Sequence, residues 1–334
     1  MIWYEHNSND IVISTRIRLA RNLDRVPFPN ALKDKAETTQ KIKDAMFKSN
    51  SALAGLFTET DLDSLPKTER EALEEEHLIS PQMINGTGQS VLISKDQTMS
   101  IMLMEEDHIR LQVILGGFAL DEAWETANRV DDVMEESLGY AFDETFGYLT
   151  ACPTNAGTGL RASVMMHLPA LTMTKNMGRI TTAANNLGLA VRGLYGEGSK
   201  SYGNLYQISN QVTMGVSEQE IMDKLKNIVN QIIDLEKQAR ETLSQNNRDT
   251  VADQLYRAYG ILKYARAISS TEAKSLLSLV ILGRNMGILP KEGKLTPVEC
   301  MVLTEPACIS KRAGRSLAPD ERDKERATMI RENI

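Results

Sequence analysis

Cys152-Pro153-Thr154-Asn155-Ala156-Gly157-Thr158 is the stretch on which the reading of this chain turns. A single thiol is followed by a Pro-Thr-Asn turn, a Gly-Thr-Gly loop and then a cation, Arg161, nine residues after the cysteine. On its own a lone cysteine reads most simply as a small buried hydrophobe. Beside positive charge it reads as a thiolate with a lowered pKa, on a loop built to handle charged groups. The spacing predicts that Arg161 stands just inside a helix that ends before Pro169.

Working outward toward the N-terminus, residues 108–115 alternate as a strand, with Ile109, Leu111 and Val113 against His108, Arg110 and Gln112. Glu106 extends that alternation onto the face of His108 and Arg110. Residues 90–93 and 100–103 flank a polar turn and predict a hairpin. Residues 11–19 alternate again, placing Ile11, Ile13, Thr15, Ile17 and Leu19 on one face and Ser14, Arg16 and Arg18 on the other. Residues 31–79 read as mostly helical and polar, and residues 121–138 as an amphipathic helix. Toward the C-terminus, residues 174–187 predict a helix closed by Gly188, followed by a strand at 189–192. Next come a glycine-rich loop at 193–203 and a strand at 205–214. Ser217 with Glu220 and Ser269 with Glu272 are capping boxes ahead of apolar helices. Strands mixed with helices, then helices alone, predict an α+β domain over residues 1–240 and a small all-helical domain over 241–334.

The chain has 334 residues, 25% charged and 42% hydrophobic, ordinary values for a globular protein. A net charge of −7 argues against nucleic acid as a partner. The sequence shows no apolar run of membrane-spanning length and no signal-peptide core. Three cysteines, Cys152, Cys300 and Cys308, make neither a disulfide framework nor a CxxC metal site, and the expected location is cytoplasmic.

Arg16 and Arg18 on one strand face, with Arg110, Arg161 and Arg192 on other elements, supply the cations that a phosphoryl-transfer site without a Walker loop requires. Arginine suits that task because its planar fork binds phosphate oxygens bidentately and keeps its charge. Taken alone, two strand arginines are more simply residues on a solvated sheet face. The loop at Gly196-Glu197-Gly198-Ser199-Lys200-Ser201 fails the P-loop spacing and fits a lid, or simply a loop. Glu105-Glu106-Asp107 reads as a metal-binding cluster or as a solvated strand end. A protonated guanidinium is a poor nucleophile, so a site acting on one needs carboxylates to align it and take a proton, and Glu106 and Glu197 are the candidates.

Five blocks in order resemble the phosphagen kinases, the ATP:guanidino phosphotransferases. They are Ser14-Thr15-Arg16-Ile17-Arg18, His77-Leu78-Ile79-Ser80, Glu105-Glu106-Asp107-His108-Ile109-Arg110, the Cys152 to Arg161 stretch, and Arg192-Gly193-Leu194-Tyr195-Gly196-Glu197. The resemblance implies a catalytic domain with a central antiparallel sheet flanked by helices. It implies Arg16, Arg18, Arg110, Arg161 and Arg192 on the phosphates of ATP, within nucleotide-binding segments that include Ala162, Ser163, Val164 and Met165, with His77 at the nucleotide. It places Cys152, Glu106 and Glu197 on the guanidinium, and Glu105 and Asp107 in the shell of Mg²⁺ through water. Met104 stands where the family carries Asn.

Small-molecule members carry a separate helical domain before the first arginine block, for which a block starting at residue 11 leaves no room. The chain instead resembles the bacterial protein arginine kinases of the McsB type. Arg322-Asp323-Lys324-Glu325-Arg326-Ala327 matches the RDxxRA motif of that branch, implying that Arg322, Asp323 and Arg326 bind phosphoarginine at an allosteric site. As a bare string it is a short charged helix. The resemblance also implies partners: arginine-bearing protein substrates, a zinc-containing activator, a heat-shock repressor, Clp protease, and a second copy through the helical domain. A stress-response role in regulated proteolysis follows from the same source. Two alternatives stay open, a kinase of a free guanidino metabolite and a non-catalytic phosphoarginine adaptor.

Overall fold

The computed structural model describes residues 2–5, 11–48, 55–193 and 201–334. Strands β1 (Val12–Arg21), β2 (Phe57–Asp61), β3 (Ser90–Ser94), β4 (Met99–Leu103), β5 (Ile109–Gly116), β8 (Leu160–His167), β9 (Leu189–Gly193) and β10 (Leu205–Asn210) form an eight-stranded sheet. Its order is β2-β3-β4-β5-β1-β8-β10-β9, and a two-stranded hairpin, β6 (Phe142–Asp143) and β7 (Gly147–Tyr148), stands apart from it. The helices of the sheet region are α1 (Ala36–Phe47), α2 (Lys67–Glu75), α3 (Leu120–Glu135), α4 (Pro169–Met173), α5 (Met177–Asn186) and α6 (Glu218–Asn246). Beyond α6 the chain is helical throughout: α7 (Arg248–Tyr264), α8 (Ser270–Asn285), α9 (Pro297–Leu303), α10 (Pro306–Arg312) and α11 (Pro319–Asn333). The α+β reading, with an antiparallel sheet and a helical C-terminal part, therefore matches the molecule.

Two compact units divide the chain. One comprises residues 1–3, 14–163 and 209–226; the other comprises 4–13, 164–208 and 227–334. Strands β1, β8 and β10 contribute residues to both. The division read from the sequence, 1–240 and 241–334, instead places one cut within α6.

In the first unit the alternation of β1 sets the layers. Ile17 and Leu19 are fully buried, and they pair in register with Val113 and Leu111 of β5, against which α3 packs. Thr15 shares that inward face: its Oγ1 donates to the Gly117 carbonyl and accepts from the Ala119 N–H, tying β5 to the start of α3. In the second unit the buried Glu236 carboxylate accepts the Ala170 and Leu171 N–H groups at the start of α4 and pairs with Arg240 at 2.9 Å. An unpaired helix start is thereby satisfied.

Several expectations need correction. Residues 160–167 form a strand and not a helix, because they sit in the sheet between β1 and β10, where the Ala162 N–H is met by Asn210 Oδ1. The polar 31–79 region contains the edge strand β2, paired with β3 from Phe57↔Ser94 to Asp61↔Ser90. The strand begun at 205 ends at Asn210, since Asn210 turns its amide back to the Leu160 and Val212 carbonyls. The helix predicted at 174–187 starts at Met177, after a break at Lys175 with φ +59°.

Candidate active site

Residues directly opposite each other in an antiparallel pair share a face. The register Arg16↔Ile114, Arg18↔Gln112 and Ala20↔Arg110 therefore puts Arg16, Arg18 and Arg110 on the side of the sheet away from Ile17 and Leu19. Arg161, on β8 beside β1, is close enough to act on both β1 arginines. Burial, followed by the fields of Arg110 and Arg161, pulls Arg16 down to about 10. Burial, then Arg16, Arg110 and Arg161, pulls Arg18 well below its ordinary value, and Glu105 is the group opposing that shift. Arginine nevertheless stays charged at neutral pH. Among the described residues, four guanidinium groups crowd together with the buried carboxylate of Glu105 beside them. That excess of positive charge is the signature of a site for a polyanion.

The acidic turn joins β4 to β5 and is not strand. It opens at Met104, whose φ of +60° is strained for a side chain of that size. Gln89 Nε2 donates to the Met104 carbonyl at 2.8 Å and holds that turn. Glu105 is buried, and both of its oxygens accept from Arg110 Nη1 at 2.6 Å, while Ser80 Oγ and the Glu106 N–H complete its set. Burial raises its carboxyl, but Arg110 and these donors more than offset that and hold it below the ordinary value. Glu106, next to it, is half-buried, and burial, Asp107 and Glu105 together raise its pKa. Asp107 is buried, with Oδ1 accepting from the Asn22 side chain and from the Ala151 N–H, both at 2.7 Å. His108 turns inward, accepting the Leu23 N–H at Nδ1 and facing the Pro27 carbonyl at Nε2, and burial lowers its pKa.

Asp107 thus ties the acidic turn to the loop that carries Cys152. Inside that loop the Asn155 N–H donates to the Cys152 carbonyl, Thr150 Oγ1 donates to the same oxygen, and Cys152 Sγ lies 3.0 Å from Thr154 Oγ1. Thr213 Oγ1 binds the Thr154 and Ala156 carbonyls at 3.0 and 2.7 Å. Gly157 is required here: its φ is +105°, and a Cβ would stand 2.2 Å from the Thr213 carbonyl oxygen. The half-buried Cys152 is therefore held on a loop pinned at both ends.

His77, with φ +64°, is set by Gln112, whose Nε2 donates to its carbonyl at 2.6 Å, and by the edge of Trp3 at 5.1 Å. Ser163 Oγ lies 3.4 Å from the Arg16 carbonyl, and Arg161 reaches Ser209 Oγ at 3.3 Å. Ser14, Thr15 and Ile17 are buried, so the side chains of Thr15 and Ile17 face the core and not the arginines. Val164 and Met165 on β8, and Arg192 and Gly193 on β9, belong to the second unit, where Arg192 is exposed. Leu194, Tyr195, Gly196 and Glu197 lie outside the described residues. Sequence reasoning missed Ser80, Gln89, Asn22, Gln112, Trp3 and Thr213, the residues that orient the others. Ser80 lay inside a quoted block, while the rest act across folds of the chain that no local pattern reveals.

Among the described residues there is no cluster of three or more His, Cys, Asp or Glu placed to hold a metal ion. Glu105 has both oxygens committed to protein donors, and Asp107 Oδ1 accepts two more. No helix among those residues is long and apolar enough to cross a membrane. On α11 the Arg326 guanidinium is buried, bonded to the Thr304 and Ile268 carbonyls and to Asp323 at 2.6–2.9 Å, while Arg322 is half-exposed.

Residues 37–239 match the family profile of the ATP:guanido phosphotransferase C-terminal catalytic domain, and residues 248–334 match the protein-arginine kinase McsB C-terminal domain. The chain belongs to the ATP:guanido phosphotransferases, in their protein-arginine kinase branch. It is a phosphotransferase that uses ATP. The protein-arginine kinase of Brevibacillus brevis is 47% identical over 333 residues, covering 99% of this chain and 93% of the relative. That of Halothermothrix orenii is 50% identical over 328 residues, covering 97% and 93%. Among solved structures, a lombricine kinase superposes with a TM-score of 0.60 at 25% identity over 69% of this chain and 68% of its own. A duplicated taurocyamine kinase from Schistosoma mansoni gives 0.63 at 22% identity over 95% and 51%, a likeness of fold.

Proposed function

We propose that this chain transfers the γ-phosphoryl group of ATP to the guanidino nitrogen of arginine side chains in proteins, leaving ADP and phosphoarginine. The observation that carries the reading is the crowd of Arg16, Arg18, Arg110 and Arg161 on one sheet face beside a carboxyl, Glu106, whose pKa is raised. The near full-length likeness to protein-arginine kinases supports the choice of acceptor.

In this reading the arginines neutralise the phosphate oxygens and hold the γ-phosphorus in line with the attacking nitrogen. As the N–P bond forms and the P–O bond to ADP breaks, Glu106 takes the proton leaving the guanidinium. Its raised pKa brings it closer to the nitrogen's proton than an ordinary carboxylate would be. Cys152 lies against the same guanidinium as an orienting contact, with Glu197 as the second carboxylate. Mg²⁺ would accompany the nucleotide and neutralise its charge, with Glu105 and Asp107 reaching it through water. Arg192 would join the phosphates, and the His77 segment would meet the nucleotide.

A second site is proposed on α11, where Arg322 meets the phosphoryl group of phosphoarginine and Asp323 meets its guanidinium. Arg326, expected from the motif to bind phosphoarginine as well, is buried and pairs with Asp323 at 2.6 Å, so in this reading it holds Asp323 in place. Arg322→Ala is expected to leave basal kinase activity in place and to abolish phosphoarginine binding in calorimetry; unchanged affinity would remove the site. The same reading carries a cytoplasmic stress-response role in regulated proteolysis. It also carries a homodimer, a zinc-containing activator, a heat-shock repressor and Clp protease as partners.

The deciding experiment offers γ-labelled ATP together with free arginine and an arginine-rich unfolded protein. Acid-labile label on the protein is expected, since a P–N bond is acid-labile. Label on free arginine alone would replace the acceptor with a small guanidino metabolite, and acid-stable label would overturn N-phosphorylation.

A further inference from the structure

Five large apolar side chains stay exposed around the Cys152 loop: Phe142, Phe146, Leu149, Val212 and Met214, at 59, 54, 37, 45 and 44%. They come from two segments that both touch Gly157. Tyr148 and Gly157 exchange backbone hydrogen bonds of 2.8 and 3.2 Å, and a Cβ on Gly147 would stand 2.5 Å from the Gly157 oxygen. On the other segment, the Thr158 N–H donates to the Thr213 carbonyl at 3.0 Å, and Met214 Cα lies 2.8 Å from where a Gly157 Cβ would be.

The hairpin is firmly held. Tyr148 packs edge-on to Phe142 at 5.2 Å, and the Arg21 guanidinium covers its ring at 3.6 Å. Arg21 is itself fixed by the buried Asp131 at 2.7 Å and by the Thr158 carbonyl. Phe142 and Phe146 are thus presented on a rigid mount, where an unsupported hairpin would fold its apolar side chains inward. Large apolar groups kept in water beside a site mark a binding surface. Its tip adds negative charge: Glu144 is exposed, and Asp143 Oδ1 accepts the Thr145 and Phe146 N–H groups.

We propose that this apolar, acid-edged surface docks the polypeptide that carries the target arginine, and that it selects unfolded segments in which apolar residues flank the arginine. The proposal rests on the protein-arginine reading above. Continuity with the Cys152 loop identifies the occupant as the chain whose side chain enters the site. The acidic tip suits a basic segment, and the apolar side chains suit residues that a folded substrate would keep inside.

The test uses the full chain with Phe146→Ser and Met214→Ser, two exposed positions. Substrates are casein, as an unfolded arginine-containing protein, and the tripeptide Gly-Arg-Gly. KM for casein is expected to rise about tenfold with kcat unchanged, the mark of lost uniform binding. KM for Gly-Arg-Gly should not move. An arginine-free peptide rich in Leu and Phe should inhibit the native chain on casein and fail to inhibit the variants. Equal losses on both substrates, or an unchanged casein KM in both variants, would overturn the proposal. So would variants that sediment as a smaller species than the native chain, since the surface would then be a contact between copies. If the native chain labels neither substrate, the function reading itself fails and this proposal with it.

Discussion

Glu105 and Glu106 are neighbours whose carboxyl groups shift in opposite directions. Glu105 sits below the ordinary value because Arg110 and its donors outweigh burial; Glu106 sits above it because burial and two adjacent acids act together. For Glu106, the fold favours the protonated form. That gain is complete below the unfolded pKa and is lost as pH rises through the raised folded value. At neutral pH the ionised side chain therefore costs stability that the site spends on function. Glu106→Gln is expected to melt higher than the native chain at neutral pH, with the difference closing as pH falls through the carboxylate range. Its kcat should drop by about 10²–10⁴. Full activity, or a lower melting point at neutral pH, would remove Glu106 as the base. Glu105 has the reverse sign: its contribution is present above the unfolded pKa and lost as pH falls through the depressed folded value. Glu105→Ala strands the Arg110 cation and should cost about 3 kcal/mol in urea unfolding.

Gly157 is where three segments meet, so the loop, the β6–β7 hairpin and the 212–214 segment behave as one element. Gly157→Ala should cost on the order of 3 kcal/mol, from a φ closed to side chains and from the overlap with Thr213. In denaturant the midpoint should fall with the slope unchanged, and a midpoint equal to the native one would show that the junction is loose. The period of two in residues 11–19 and 108–115 is enough to foresee β1, β5 and the common face of Arg16 and Arg18, whereas Arg110 joins that face only through the β1–β5 register. It could not foresee β8. Arg161, Ala162 and the two methionines favour a helix locally, and only the neighbours β1 and β10 make that stretch a strand. The acidic turn escaped for a related reason, since Glu105 and Asp107 are turned inward by Ser80, Asn22 and Ala151, partners 25 to 85 residues away along the chain.

At the scale of the whole molecule, a chain with net charge −7 gathers four cations on one patch of sheet, and that local reversal of sign makes its stability sensitive to anions. ATP at a hundred times its Kd should stabilise the native fold by about 2.7 kcal/mol through mass action. Scanning calorimetry with and without ATP reads this as a rise in Tm, and Arg18→Ala should lose most of it. A variant with an undiminished rise would move the nucleotide away from this face.

The two-sided β1 strand also limits how this chain can vary over time. Single-letter changes in β1 alter one layer at a time, a core contact or a phosphate contact. A one-codon insertion or deletion within it would swap the layers, driving Arg16 and Arg18 into the packed interior and Ile17 and Leu19 out among the cations. No substitution nearby could repair both faces at once; only a compensating change of length or a bulge would restore them. The strand is free to drift in spelling but not in length.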